Sequence, residues 1–213
     1  MKKIVGMALL LVVLWSYPVL ATTLYTAAVS EFQTYGDMMD NMVVTASFGA
    51  TSDTATWGTT GSGAGAAFGT GWSLTESGDT WGGIWTLTYT PPTGAAPLLM
   101  TGLLIDAWPG KTVFDKTEPS TGTLGSEKGW TFDSASVVGY SYLDEVALTG
   151  QLPLYDLYAK LQLDFGNGFS GTMSFKADTD NIILPSIPEP ATMLLLGSGL
   201  IGLAGYARRR FRK

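Results

Sequence analysis

The chain of 213 residues contains no cysteine and no histidine. Without cysteine there is no disulfide framework, so the fold must be held by its core alone, which a chain of this length can bury. Without either residue type, zinc sites of the usual His and Cys kind are excluded. Ser-His-Asp triads, Cys-His dyads and histidine general bases go with them. Basic residues are scarce between the termini. Residues 22–187 hold five lysines, no arginine and 17 acids, which leaves a net charge of −12. The other seven bases lie at the ends: Lys2, Lys3, Arg208, Arg209, Arg210, Arg212 and Lys213. A middle so acidic repels nucleic acid, whose phosphates need clustered Lys and Arg. It favours solubility and cation binding.

What the chain does have begins with an export signal. Met1-Lys2-Lys3 is a short basic start, and residues 4–15 are apolar apart from Gly6. Pro18 then ends any helix, because proline lacks the N–H and its ring clashes with the preceding turn. Val19-Leu20-Ala21 presents branched and small residues at the −3 and −1 positions. The pattern predicts a signal peptide over 1–21, cleaved by signal peptidase after Ala21. The apolar run is shorter than the roughly 20 residues of a spanning helix, which argues against a retained anchor.

The other end has three parts in order. Ile187-Pro188-Glu189-Pro190 is held extended, since each proline fixes its own φ and pushes its predecessor out of the α region. Residues 191–207 carry no charge and predict one C-terminal transmembrane helix, thinned by Gly197, Gly199, Gly202 and Gly205. The basic tail 208–213, with Arg208, Arg209, Arg210 and Arg212, predicts a cytoplasmic end and an acidic domain outside. This ordered triple over residues 187–213 resembles the PEP-CTERM sorting signal of Gram-negative bacteria. The resemblance implies recognition of Pro188, Glu189 and Pro190 by exosortase, a multi-pass cysteine protease. It implies a precursor held transiently in the inner membrane and then moved to the cell surface or extracellular matrix. Substrates of that system are associated with exopolysaccharide, biofilm or floc formation. Residues 102–106, 112–115 and 122–132 also resemble, loosely, stretches of other ectodomains carrying this signal, which supports membership and no chemistry.

Residues 22–186 predict an all-β ectodomain. Turn signals recur about every ten residues, the spacing of a sandwich or barrel. In residues 81–90, Trp81, Trp85, Leu87 and Tyr89 alternate with threonines. In 158–165, Ala159, Leu161, Leu163 and Phe165 alternate with polar residues, as do Phe169, Met173 and Phe175 in 169–177. Period-2 alternation marks a strand with one buried face. Gly166-Asn167-Gly168 between the last two runs predicts a hairpin. Residues 98–107, apolar on both faces, predict a central strand. The Gly-, Ala-, Ser- and Thr-rich stretch 58–71 predicts a long loop, and residues 29–42 carry the one helical signal. The fold expected is an antiparallel β-sandwich of jelly-roll type.

Sites within this domain stay open. Asp178, Asp180 and Asn181 would supply oxygen ligands to Ca²⁺, although the spacing is not that of an EF-hand, and a polar turn explains the same residues. Six of the seven tryptophans fall in the middle of the chain. Trp57 and Trp72, bordering the Gly-rich stretch, are the candidates for stacking on sugar rings, with core packing as the alternative. Asp144 with Glu145, or Asp115 with Glu118, are the carboxylate pairs that a glycoside hydrolase would need, but solvated surface explains them as well. The sequence therefore favours a non-enzymatic structural or adhesive surface protein. A carbohydrate-binding module stands as the alternative and a hydrolase ranks last.

Overall fold

In the computed structural model the described residues are 25–93, 98–116, 131–132, 137 and 139–184. The predicted signal peptide with Ala21, the segment 191–207 and the basic tail lie outside them. Among the described residues the strands are β1 (Tyr25–Glu31), β2 (Val43–Phe48), β3 (Thr51–Thr56), β4 (Gly58–Gly61), β5 (Ala64–Gly69), β6 (Trp72–Ser77), β7 (Ile84–Tyr89), β8 (Met100–Asp106), β9 (Thr112–Asp115), β10 (Thr131–Phe132), β11 (Gly139–Leu148), β12 (Leu157–Phe169), β13 (Gly171–Lys176) and β14 (Thr179–Ile183). One sheet runs β11-β1-β14-β9-β12-β8-β2-β3 and the other β10-β13-β7-β6-β5-β4.

The alternating segments fold as their pattern demands. Trp85, Leu87 and Tyr89 on β7 are buried, as are Ala159, Leu161, Leu163 and Phe165 on β12 and Met173 and Phe175 on β13. Each such file turns inward, and the two sheets share one main core. Val44, Ala46, Leu103, Ile105, Leu161 and Leu163 of the first sheet pack on Leu74, Trp85, Leu87, Met173 and Phe175 of the second. That arrangement is a β-sandwich. Residues 98–107 contain β8, a central strand paired with β12 on one side and β2 on the other.

The first sheet also closes on itself at one end. β12 pairs with β11, β11 with β1, β1 with β14, β14 with β9, and β9 returns to β12. Each of these five strands sends a side chain into a second, smaller core: Ala27, Val113, Val146, Leu157, Ala159 and Ile182. The β1–β11 pair is parallel. An eight-and-six division with a parallel pair and a closed ring differs from the jelly roll expected, which is an antiparallel fold of eight strands.

Other expectations are corrected. Residues 58–71 are not a loop but hold β4 and β5. Small residues are needed there because aromatic rings approach the backbone: a Cβ on Gly65 would run into the Trp57 indole nitrogen and the Gly36 carbonyl. Gly166-Asn167-Gly168 does not turn a hairpin, because β12 and β13 belong to different sheets. The left-handed Gly166 (φ 53°) and Gly168 (φ 102°) instead make an irregularity late in β12, between its pairings at Asp164 and Phe169. Residues 29–42 form the end of β1, a 3-10 turn at Gly36–Met38 and extended chain rather than a helix. Trp81 sits before β7, 36% exposed, outside the inward file.

Candidate functional site

Burial of polar groups marks the unusual part of the molecule. β9 and β14 run antiparallel with Thr179 opposite Phe114 and Asp180 opposite Val113. The Asp115 N–H donates to the Asp178 carbonyl at 3.0 Å. This register sets Asp115 across from Asp178, with Asp180 two residues along β14 on the same face. That face continues into Val113 and Ile182 of the small core. Asp156 precedes β12, and its carbonyl accepts from the Lys116 N–H at 2.7 Å. Three adjacent strand ends thus carry four aspartates, all buried: Asp115 and Asp180 at 0% exposure, Asp156 at 1% and Asp178 at 2%.

Asp178 Oδ1 accepts from the Thr80 hydroxyl at 3.2 Å and the Thr179 N–H at 2.9 Å. Neither oxygen of Asp115 and neither of Asp180 has a hydrogen-bond partner. Burial, and then the charges of Asp180, Asp178 and Asp156, push the Asp115 carboxyl well above the usual carboxylate range. Burial followed by the charges of Asp178 and Asp156 pushes Asp180 up to about 7. A buried carboxylate without a partner favours its neutral form.

A related feature lies at the end of the main core. The inward file of β6, Trp72, Leu74 and Glu76, ends in a carboxyl that is 2% exposed with no partner on either oxygen. Burial first, then Asp79 and Asp37, push Glu76 up to about 8. Nearby, Tyr35, Asp37, Met38, Ser62, Gly63, Ser77 and Gly78 line an open hollow.

The residues singled out in the sequence are partly brought together. Asp178 and Asp180 share a face, but Asn181 alternates to the other side of β14, where its amide approaches the Gln33 carbonyl at 3.5 Å. Asn181 is therefore no companion ligand. Trp57 and Trp72 are 2% and 3% exposed. Trp57 Nε1 donates to the Gly36 carbonyl at 2.8 Å, and Trp72 Nε1 donates to Asp53 Oδ2 at 2.9 Å. Buried indoles with engaged N–H groups present no face to a sugar, so the glycan-stacking expectation fails at both. Asp144 pairs with Lys160 at 2.6 Å, and Glu145 accepts from the Tyr155 N–H at 2.8 Å. Asp115 belongs to the aspartate cluster, while Glu118 lies outside the described residues. The joining of Asp115 and Asp156 to the Asp178–Asp180 pair escaped the sequence, because only strand pairing unites positions so far apart.

The remaining site is the sorting segment. β14 ends at Ile183 and the described residues end at 184, so Pro188, Glu189, Pro190 and Arg208, Arg209, Arg210 and Arg212 lie beyond them. No helix among the described residues is long and apolar enough to cross a membrane. The family model of the PEP-CTERM protein-sorting motif matches residues 186–210, and the chain carries that motif. The motif marks an exported protein with a membrane-anchored precursor that exosortase processes. No curated protein and no solved structure matches the chain.

Proposed function

We propose that the mature protein is a non-catalytic component of the cell surface or extracellular matrix of a Gram-negative bacterium. The precursor loses residues 1–21 to signal peptidase and is held in the inner membrane by residues 191–207. Exosortase then cuts near Pro188-Glu189-Pro190. The β-sandwich is left at the surface or in exopolysaccharide, where it contributes structure or adhesion to a biofilm.

The observation that carries this reading is the position of the motif. It begins at residue 186, beyond β14, the last strand among the described residues, which ends at Ile183. A cut in the tag would therefore leave every strand among the described residues in the released part. The non-catalytic part draws on the lack of histidine and cysteine. It draws also on Asp144 and Glu145, which are engaged in local bonds on β11. The test compares a wild-type host with one lacking exosortase. The reading expects the chain to stay in the membrane fraction at precursor size in the mutant, and biofilm to weaken when the chain itself is deleted. An unchanged size and location in the two hosts would overturn the sorting part. Unchanged biofilm would overturn the adhesive part.

A further inference from the structure

We propose that β3 is a docking edge for the β3 strand of a second copy of this chain, the two pairing antiparallel about a two-fold axis so that one sheet runs through both molecules. This goes beyond the sorting reading and does not depend on the tail being cut.

The topology leaves this edge open. At one end the first sheet closes into the ring of β11, β1, β14, β9 and β12, and closure removes a free edge. At the other end the sheet stops at β3, which no described strand pairs on its outer side. The edges of the second sheet are shorter. β10 has two residues, and β4 has four with a break in register between Thr59 and Gly61. β3 has six residues in unbroken register with β2, from Val43 opposite Thr56 to Phe48 opposite Thr51. Natural edges are commonly blunted by lysine, proline or a bulge. Thr51-Ser52-Asp53-Thr54-Ala55-Thr56 has none of these, and its threonines suit a strand.

The second copy follows from register and charge. The Trp57 N–H donates to the Met42 carbonyl at 2.7 Å, and hydrogen-bonded pairs alternate along an antiparallel ladder. Thr51, Asp53 and Ala55 therefore direct their main-chain groups to β2, while those of Ser52, Thr54 and Thr56 point to the open side. A copy of β3 can pair only where outward residues meet outward residues. Centring on Asp53 would set two carboxylates opposite each other, which is unfavourable. Centring on Thr54 sets it against Thr54 of the second copy, Ser52 against Thr56 and Asp53 against Ala55. Ser52, Thr54 and Thr56 then all find a partner, which no other antiparallel register of β3 on itself achieves. Asp53 is the one charge in residues 51–61 of an otherwise acidic middle, so two copies meet here with little repulsion. An inward charge can guard an edge, but Asp53 is turned back to its own domain. Its Oδ2 accepts from the Thr70 N–H at 2.6 Å and from Trp72 Nε1 at 2.9 Å. Such a pairing occupies the edge of both copies and stops at a dimer.

The test uses the purified full chain in mild detergent. Sedimentation velocity from about 10 µM to about 1 mM is expected to show a weak monomer–dimer equilibrium, in keeping with a small interface. Thr54→Pro removes an outward N–H and leaves the bonds to β2 in place. It should weaken dimerisation more than about tenfold while the monomer keeps its melting temperature. A pair of cysteine variants reads the register without relying on the proline, and the chain has no cysteine of its own. Under mild oxidant Thr54→Cys should cross-link to a dimer, since directly opposite Cα atoms about 5.5 Å apart lie within disulfide reach. Ser52→Cys should cross-link more than about tenfold more slowly, because the two copies of that position stand about 13 Å apart along the strands. Wild-type chain that stays monomeric up to about 1 mM would overturn the proposal and leave the edge to a strand of another protein. A dimer that folded Thr54→Pro leaves unchanged would place the contact on another surface and overturn it equally. Equal cross-linking rates at the two positions would do the same.

Discussion

The main core and the small ring core are built from the same kind of alternating strand, yet they handle polar groups differently. In the main core the buried indoles are partnered. Trp57 donates to Gly36, Trp72 to Asp53, and Trp85 to the Ala177 carbonyl at 2.9 Å. Trp85 also lies parallel to Phe175 with ring centroids 5.8 Å apart and sits 5.3 Å from Trp57. The buried residues of the ring core are aliphatic, with Tyr25 and Trp108 packed against them, and give way at one end to Asp115 and Asp180, whose oxygens have no partner. Satisfied polar atoms inside aromatic packing stabilise a fold. Unsatisfied carboxyls oppose it in their charged form and favour the neutral one. The contrast separates partnered indoles inside the main core from unpartnered carboxyls at the ends of both cores, since Glu76 closes the inward file of β6 in the same state.

Breaking the aromatic core should have the largest effect. Trp85→Ala removes a fully buried ring and orphans the Ala177 carbonyl, and urea denaturation should show a loss of about 3–5 kcal/mol. Overfilling the same core comes next. In Gly65→Ala the added methyl meets Trp57 Nε1 and the Gly36 carbonyl, and the expected loss is about 1–3 kcal/mol by the same denaturation.

The carboxyls should then show themselves in pH dependence. Asp180 and Glu76 have folded pKa values raised to about 7 and about 8, mainly by burial. Around them stand Asp178 and Asp156 in the first case, and Asp79 and Asp37 in the second. The folded state then holds these protons more tightly than the unfolded chain. Their contribution is fully present below the ordinary carboxyl range and is lost as pH rises through 7 and 8. Stability should decline between pH 5 and pH 8, by at most about 1.4 kcal/mol per pH unit for each group. Glu76→Gln should flatten that decline and raise the melting temperature at pH 8 while changing little at pH 5. A melting temperature that climbs over this range would contradict the account.

The smallest effect should come from the surface. Lys160 pairs with Asp144 at 2.6 Å and Asp106 at 3.7 Å, with all three side chains partly exposed. Lys160→Met should cost only about 0.2–1 kcal/mol, read from the denaturation midpoint and reduced further in high salt.

Alternation made the strands legible in Trp85-Leu87-Tyr89 and in Ala159-Leu161-Leu163-Phe165, because a half-buried strand writes its burial into every second residue. Residues 58–71 hid β4 and β5, since glycine and alanine chosen for close approach to an indole look like loop. Gly166-Asn167-Gly168 announced left-handed backbone correctly, but left-handed glycines serve an irregular strand as well as a hairpin. Trp57 and Trp72 could be core or platform from sequence alone, and burial decided for core. Asp178 and Asp180 were visible as a pair, while Asp115 and Asp156 joined them only through strand pairing. The sorting motif was legible, because its signal is a linear order of proline, apolar run and arginine.

The most direct test of the central claim, that a β-sandwich is exported and freed from its tag, is the intact mass of the protein recovered from the native cell surface and medium. The account predicts a chain that begins at Thr22 and ends close to Pro188, without residues 191–213. A mass that retains the apolar segment and the arginine tail would contradict it and make the protein a permanently anchored one.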